Sequence, residues 1–161
     1  MMPHPKRRPF KFRGTLLPHR RRHSFDFSDK IHRRIRPLNF IGSIPADGST
    51  NVSPLIRNII LIFDKSVFDH SVRRHNRFQI HVWEGTKRLE KGIDYHLSRS
   101  FAFGGRRKII IRMTRRLAAN TEYTVAIFPH LTSRDGEKLG KTVIIKFKTG
   151  RRRIVPPPIE E

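Results

Sequence analysis

LAANTEYTVAIFPHLTSRDGEKLG, residues 117–140, places a tyrosine, a histidine, acids and paired turn glycines in one short span. Two readings compete: an active-site loop, or a strand, a turn and the approach to a second strand. TEYTVAIF (121–128) is rich in β-branched and aromatic residues, as a half-buried strand requires. SRDGEKLG (133–140) follows, where Asp135 can bond backbone and Gly136 can take a positive φ. KTVIIKFKT (141–149) then resumes the strand pattern. The acids and glycines therefore serve a turn, and the stretch reads as structure.

The same grammar extends toward the N-terminus. RNIILIF (57–63) is a buried strand, and KIIIRM (108–113) is another. RFQIHVWE (77–84) alternates with period two, which sets Phe78, Ile80 and Val82 on one face. LNFIGS (38–43) supplies a first strand, with a weaker pair around TKRLE (86–90) and DYHLSRSFAF (94–103). PADGSTNVSP, EGTKRLEKGID and FGGRR separate them as turn signals, and Asp47 and Gly48 belong to the first. No helix-length amphipathic pattern intervenes. Short strands at this spacing predict an all-β, two-sheet antiparallel β-sandwich of seven or eight strands over residues 37–150.

Outside that body the composition changes. Residues 1–36 hold nine Arg and three Lys against Asp26 and Asp29, with few apolar residues to offset ordering entropy. This basic N-terminal arm is expected to be irregular, or ordered by a partner. A short helix from Ser28 or Asp29, with Ile31 and Ile35 on one face, is its one local pattern. Residues 151–161 carry Arg151, Arg152 and Arg153 and then three successive prolines, which favour an extended polyproline tail.

Across its 161 residues the chain has 35 Lys and Arg against 13 Asp and Glu, a formal charge of +22. Self-repulsion on that scale calls for counter-ions or a polyanionic partner. The absence of cysteine excludes disulfides, thiolate metal sites and a cysteine nucleophile. No run reaches the roughly 20 apolar residues of a membrane span. The basic N-terminus has no apolar segment of the signal-peptide type, which predicts a cytoplasmic protein, reaching the surface only by a non-classical route or lysis.

The spaced motifs SIPADGSTNVSP (43–54), NIILIFDKSV (58–67), LAANTEYTV (117–125), SRDGEKLG (133–140) and VIIKFKTG (143–150) resemble the bacterial Ig-like domain of the S-layer (SbsA-like) type. The resemblance implies an Ig-like sandwich of structural character. It also gives Tyr123 and Leu117 a place. A tyrosine opening a late strand just after the LAANT corner fits the tyrosine corner of such sandwiches, where its hydroxyl bonds backbone upstream.

Candidate chemistry is thin. Asp64, Asp69, Asp94, Asp135 and Glu137 are isolated turn or surface acids, and Glu84 and Glu90 flank a hairpin loop. Asp135 and Glu137 beside Arg134 and Lys138 fall short of a calcium loop. The nine histidines show no HxH or HExxH spacing, so no metal site or cofactor is expected. FGGRRK (103–108) lacks the strand–loop–helix setting and the Lys-Ser/Thr pair of a phosphate loop and reads as a turn. No nucleophile elbow is present, which argues against an enzyme.

Arginine is where a function is expected. Arg7, Arg8, Lys11, Arg13, Arg20, Arg21, Arg22, Arg33, Arg34 and Arg36 in the arm, with Arg151, Arg152 and Arg153, are the candidate polyanion-binding set. Phe10, Phe12, Phe25 and Phe27 interleave with them, placed to stack on bases or dock on a neighbour. The expectation is a non-enzymatic assembly module anchored to a polyanion or to an acidic protein subunit, within a homo- or hetero-assembly. The alternative is a nucleic-acid-binding protein without sequence preference, using the arm and basic loops.

Overall fold

The computed structural model describes residues 36–102 and 104–151. Of the candidate basic residues, Arg36 and Arg151 fall within this range. The other arm and tail residues, the four arm phenylalanines, the helix expected near Ser28 and the proline tail lie outside the described residues.

Eight strands form two antiparallel sheets: β1 (Phe40–Ile44), β2 (Asn58–Phe63), β3 (Ile80–Glu84), β4 (Lys87–Arg88), β5 (Tyr95–Arg99), β6 (Lys108–Met113), β7 (Glu122–Ile127) and β8 (Val143–Lys148). One sheet has the order β1-β2-β6-β5 and the other β4-β3-β7-β8. This is the strand arrangement of an Ig-like sandwich with one added edge strand, β4.

Period-two alternation builds the core. Ile59, Leu61 and Phe63 of β2 and Ile109, Ile111 and Met113 of β6 face inward. Opposite them lie Ile80 and Val82 of β3, Tyr123, Val125 and Ile127 of β7, and Ile145 and Phe147 of β8. The Tyr123 and Phe147 rings stack with centroids 5.6 Å apart. Each such side chain contributes about 1.5–3 kcal/mol on burial, so the alternating positions fix the register of both sheets.

Departures from regular alternation have local causes. Strand β3 begins at Ile80, because Arg77–Gln79 turn as a 3-10 helix, and Phe78 therefore points to solvent with 68% of its surface exposed. A one-turn helix, α1 (Arg73–Asn76), precedes it, too short to leave a periodic signal. At the β1 edge the register shifts between Phe40 and Gly42, which throws Ile41 outward.

Strand direction sorts the loops. Residues 64–79, 100–107 and 128–142 gather at the end where residue 36 joins β1, hereafter the arm end. Residue 151 leaves β8 at the other end, the tail end. A six-residue strand separates the two ends by about 20 Å.

Candidate functional site

At the arm end the three loops are tied together by side chains distant in sequence. Asn76 is fully buried. Its Nδ2 donates to the carbonyls of Val67 and Thr132, each at 2.7 Å, and its Oδ1 accepts from the Thr132 amide at 2.9 Å. Every hydrogen-bonding group of that amide but one lone pair is thus used. The Arg106 carbonyl accepts from the amides of Val67 (2.9 Å) and Phe68 (3.1 Å), and the Ser66 carbonyl accepts from the Arg134 amide at 2.8 Å.

Glu137 completes the frame. It pairs with Lys65 at 2.8 Å and accepts a short hydrogen bond from the Ser133 hydroxyl. These donors hold its carboxyl down at about 2. Lys65 also donates to the carbonyl of Arg36, which fixes the point where the arm joins the sandwich. The sequence offered Glu137 as an isolated turn acid; the structure makes it a lock between loops.

A cleft of about 380 Å³ opens over this frame, lined among others by Ser66, Ser100 and the arginines Arg99, Arg106, Arg107 and Arg134. Arg106 is paired with Asp69 at 3.1 Å, and the Arg99 guanidinium lies 5.3 Å from the Phe101 ring centre. Arg107 and Arg134 make no ion pair among the described residues. The backbone here is shaped by glycine: Gly104 has φ +74°, and a Cβ on Gly105 would lie 1.9 Å from the Ser100 carbonyl oxygen. Arg106 and Arg107 sit in the basic run GRRK that the sequence singles out. Arg99, Arg134 and Ser66 are isolated in sequence, and only the fold brings them together.

The outer side of the β3 sheet carries a second basic surface. A groove of about 510 Å³ is lined by Phe78, His81, Arg88, Lys91 and Tyr95 among others. Arg88 Nη2 donates to His81 Nδ1 at 2.6 Å, and the Lys91 ammonium lies 5.5 Å from the Phe78 ring centre. The His81 ring meets Phe128 edge-on at 5.2 Å and lies 6.1 Å from Trp83. Burial, then the charges of Arg88 and Lys91, push the His81 pKa below its ordinary 6.5. This favours neutral His81 as the acceptor for Arg88. Lys91 is likewise lowered, by burial and then by Arg77 and Arg88.

At the tail end, Arg151 and Arg116 flank a cleft of about 650 Å³ with Asn51, Pro54 and Leu55. Arg36 and Arg151 are both exposed and lie at opposite ends of the sandwich, so the described structure does not bring these two candidates together.

The residues assigned to structure have clear positions. The Tyr123 hydroxyl accepts from the Ala118 amide at 2.8 Å and donates to Glu84 Oε1 at 2.7 Å. Burial and the bond to Glu84 push its pKa up to about 12. Glu84 also pairs with Arg115 at 2.8 Å, so it belongs to the corner rather than to free surface charge. Leu117 is buried under that corner. Asp47 Oδ1 accepts from the Lys146 amide at 2.8 Å, and Gly48 donates to the Lys146 carbonyl at 2.7 Å with φ +77°. Asp135 is exposed, and Gly136 closes its turn by donating to the Ser133 carbonyl at 3.0 Å. Among the described residues no three His, Asp or Glu side chains group as a metal site would require. No described helix is long and apolar enough to cross a membrane.

No curated protein matches the chain. Among solved structures it is similar to surface layer protein SbsC, domains 1–6, at 12% identity and TM-score 0.49, over 72% of this chain and 14% of that one. It is similar also to the N-terminal part of the bacterial S-layer protein SbsC, at 13% identity and TM-score 0.46, over 71% of this chain and 24% of that one. The chain thus spans a minor part of the solved chains it matches. The bacterial Ig-like domain family matches residues 34–149, from before β1 to beyond β8, and the chain belongs to that family.

Proposed function

We propose that this Ig-like domain is a non-enzymatic assembly module that attaches, through its basic arm and basic loops, to a polyanionic partner. One observation carries the reading: the positive surplus is not compensated within the sandwich. The described ion pairs engage Asp69, Glu84, Glu122 and Glu137, while Asp47, Asp64 and Asp94 accept backbone hydrogen bonds. Little acid is left to neutralise the exposed Arg57, Arg73, Arg74, Arg107, Arg112, Arg116 and Arg134. Uncompensated guanidinium groups suit bidentate contact with phosphate or carboxylate. An enzymatic reading gains nothing: the part-buried contact of Ser133 with Glu137, which also pairs with Lys65, holds a turn.

The Arg36 carbonyl accepts from Lys65, whose chain neighbour Ser66 lines the arginine cleft. A second reading, nucleic acid as that partner, is favoured by the exposed Phe78 and Phe128 beside His81, Trp83, Arg88 and Lys91. Such rings and cations suit unpaired bases and their backbone.

Binding of the protein to duplex DNA, single-stranded RNA and a non-nucleic polyanion, measured from about 50 to 200 mM salt, separates the readings. Tight binding to all three that weakens steeply with salt supports a general polyanion partner. A preference for single strands that survives at the upper salt, and is lost without residues 1–36, supports nucleic acid. Failure to bind any of them in low salt would overturn both.

A further inference from the structure

We infer that the arginine-lined cleft at the arm end is a discrete binding site for a phosphate-type oxyanion, carried by the sandwich itself rather than by its tails. Its partner's charge rests on the polyanion reading above; its place and chemistry rest on this cleft alone.

Three observations converge. Arginines from one strand end and two loops line one cleft of about 380 Å³: Arg99, the last residue of β5, Arg106 and Arg107 from the β5–β6 loop, and Arg134 from the β7–β8 loop. Arg106 is held by Asp69, which leaves Arg107 and Arg134 with unclaimed donors among the described residues, and Arg99 steadied against Phe101. Asp135, next in the chain to Arg134, does not line the cleft.

Second, Ser66 lines the same cleft, and its Oγ is buried without a hydrogen-bond partner. A buried hydroxyl left unmatched costs stability, so such a group in a native fold calls for a partner. Turned toward the cleft, it donates to an anion oxygen.

Third, the cleft is pre-shaped. Gly105 packs so closely on the Ser100 carbonyl that no side chain fits, and the Ser66 carbonyl is pinned by the Arg134 amide. The Asn76 hub holds the β2–β3 and β7–β8 loops in register beneath it.

The chemistry selects the ligand. A carboxylate is satisfied by one bidentate guanidinium, whereas a phosphate group presents several oxygens that accept from donors on different sides. Several guanidinium forks on one cleft, carried by separate segments, and a serine hydroxyl match the second. The phosphate is either a free ion or a group on a polymer, and the test distinguishes them.

Amide NMR of the full chain, titrated with inorganic phosphate and with acetate at matched ionic strength, reads the site directly. A polyphosphate chain forms a third arm. Saturable shifts are expected at residues 66, 99–100, 105–107 and 134 with phosphate, and unsaturated drift with acetate. R107A/R134A should weaken phosphate binding by about tenfold or more, the loss of bidentate charge-assisted bonds. R107K/R134K keeps the charge and removes the forks, so it too should weaken binding several-fold and serves if the alanine variant misfolds. Ser66→Ala should weaken it less, while leaving acetate drift unchanged. Equal responses to phosphate and acetate, shifts spread over all exposed basic residues, or unaltered affinity in the lysine variant would overturn the site. Saturation by phosphate without binding of polyphosphate would keep the site as one for a free anion and sink the polymer reading. Polymer binding without local saturation would do the reverse.

Discussion

Tyr123 joins three segments through one hydroxyl: the Ala118 amide of the corner, Glu84 at the end of β3, and its own strand β7. The ring adds its stack on Phe147. Tyr123→Phe keeps the ring and leaves the Ala118 amide and Glu84 without their partner, which should cost about 1–3 kcal/mol in a denaturant titration. Alkali provides an independent readout. The folded pKa of about 12 lies above the ordinary 10, so the neutral hydroxyl is the form that folding favours. That contribution is complete below pH 10 and drains away as pH rises toward 12. The Phe variant should lack this alkaline limb; an unchanged limb would show that another group sets it.

The loops of the arm end behave as one element because Asn76, Glu137, Lys65 and Ser133 bridge them. Glu137 has a folded pKa of about 2 against an ordinary 4.5, so its contribution is complete above 4.5 and is lost as pH falls toward 2. Glu137→Gln should lower stability at neutral pH and flatten the stability curve across that acid window. A curve of unchanged slope would mean that the Lys65 pair does not couple to folding. These bridges also mark the limit of what the sequence discloses. The strands were legible because period-two burial is local: KIIIRM is β6 to the residue, and the Asp47–Gly48 turn is written in its own residues. Phe78 misled because its alternation continues that of Ile80 and Val82, while the 3-10 turn that exposes it depends on loop packing. Glu84 to Tyr123 is a contact across 39 residues and Asn76 to Thr132 one across 56, and no local pattern encodes either. The cleft was half visible. Arg106 and Arg107 stand out as a run, but Ser66 and Arg134 in loops and Arg99 at the end of β5 stand alone in the sequence until the sheets bring them together.

Of the charge of +22, the 12 basic and two acidic residues of 1–36 account for +10; the remaining +12 acts on the rest of the chain as self-repulsion that the described ion pairs do little to offset. Salt should therefore stabilise the protein, because screening shortens the reach of each charge from about 30 Å at 0.01 M to about 3 Å at 1 M. At this chain length about 1 kcal/mol of relief corresponds to roughly 2–4 °C in Tm. A rise of several degrees is expected in sodium chloride between those limits, levelling once screening is complete. A chain held together by its own surface ion pairs would respond in the opposite sense, since screening weakens them. Phosphate at matched ionic strength adds a separate term if it binds the native state, growing with the logarithm of its concentration rather than levelling. Calorimetry in the two salts therefore separates diffuse repulsion from occupied anion sites: parallel curves mean screening alone, while a phosphate curve that keeps climbing means that the arginines hold their ligand in place.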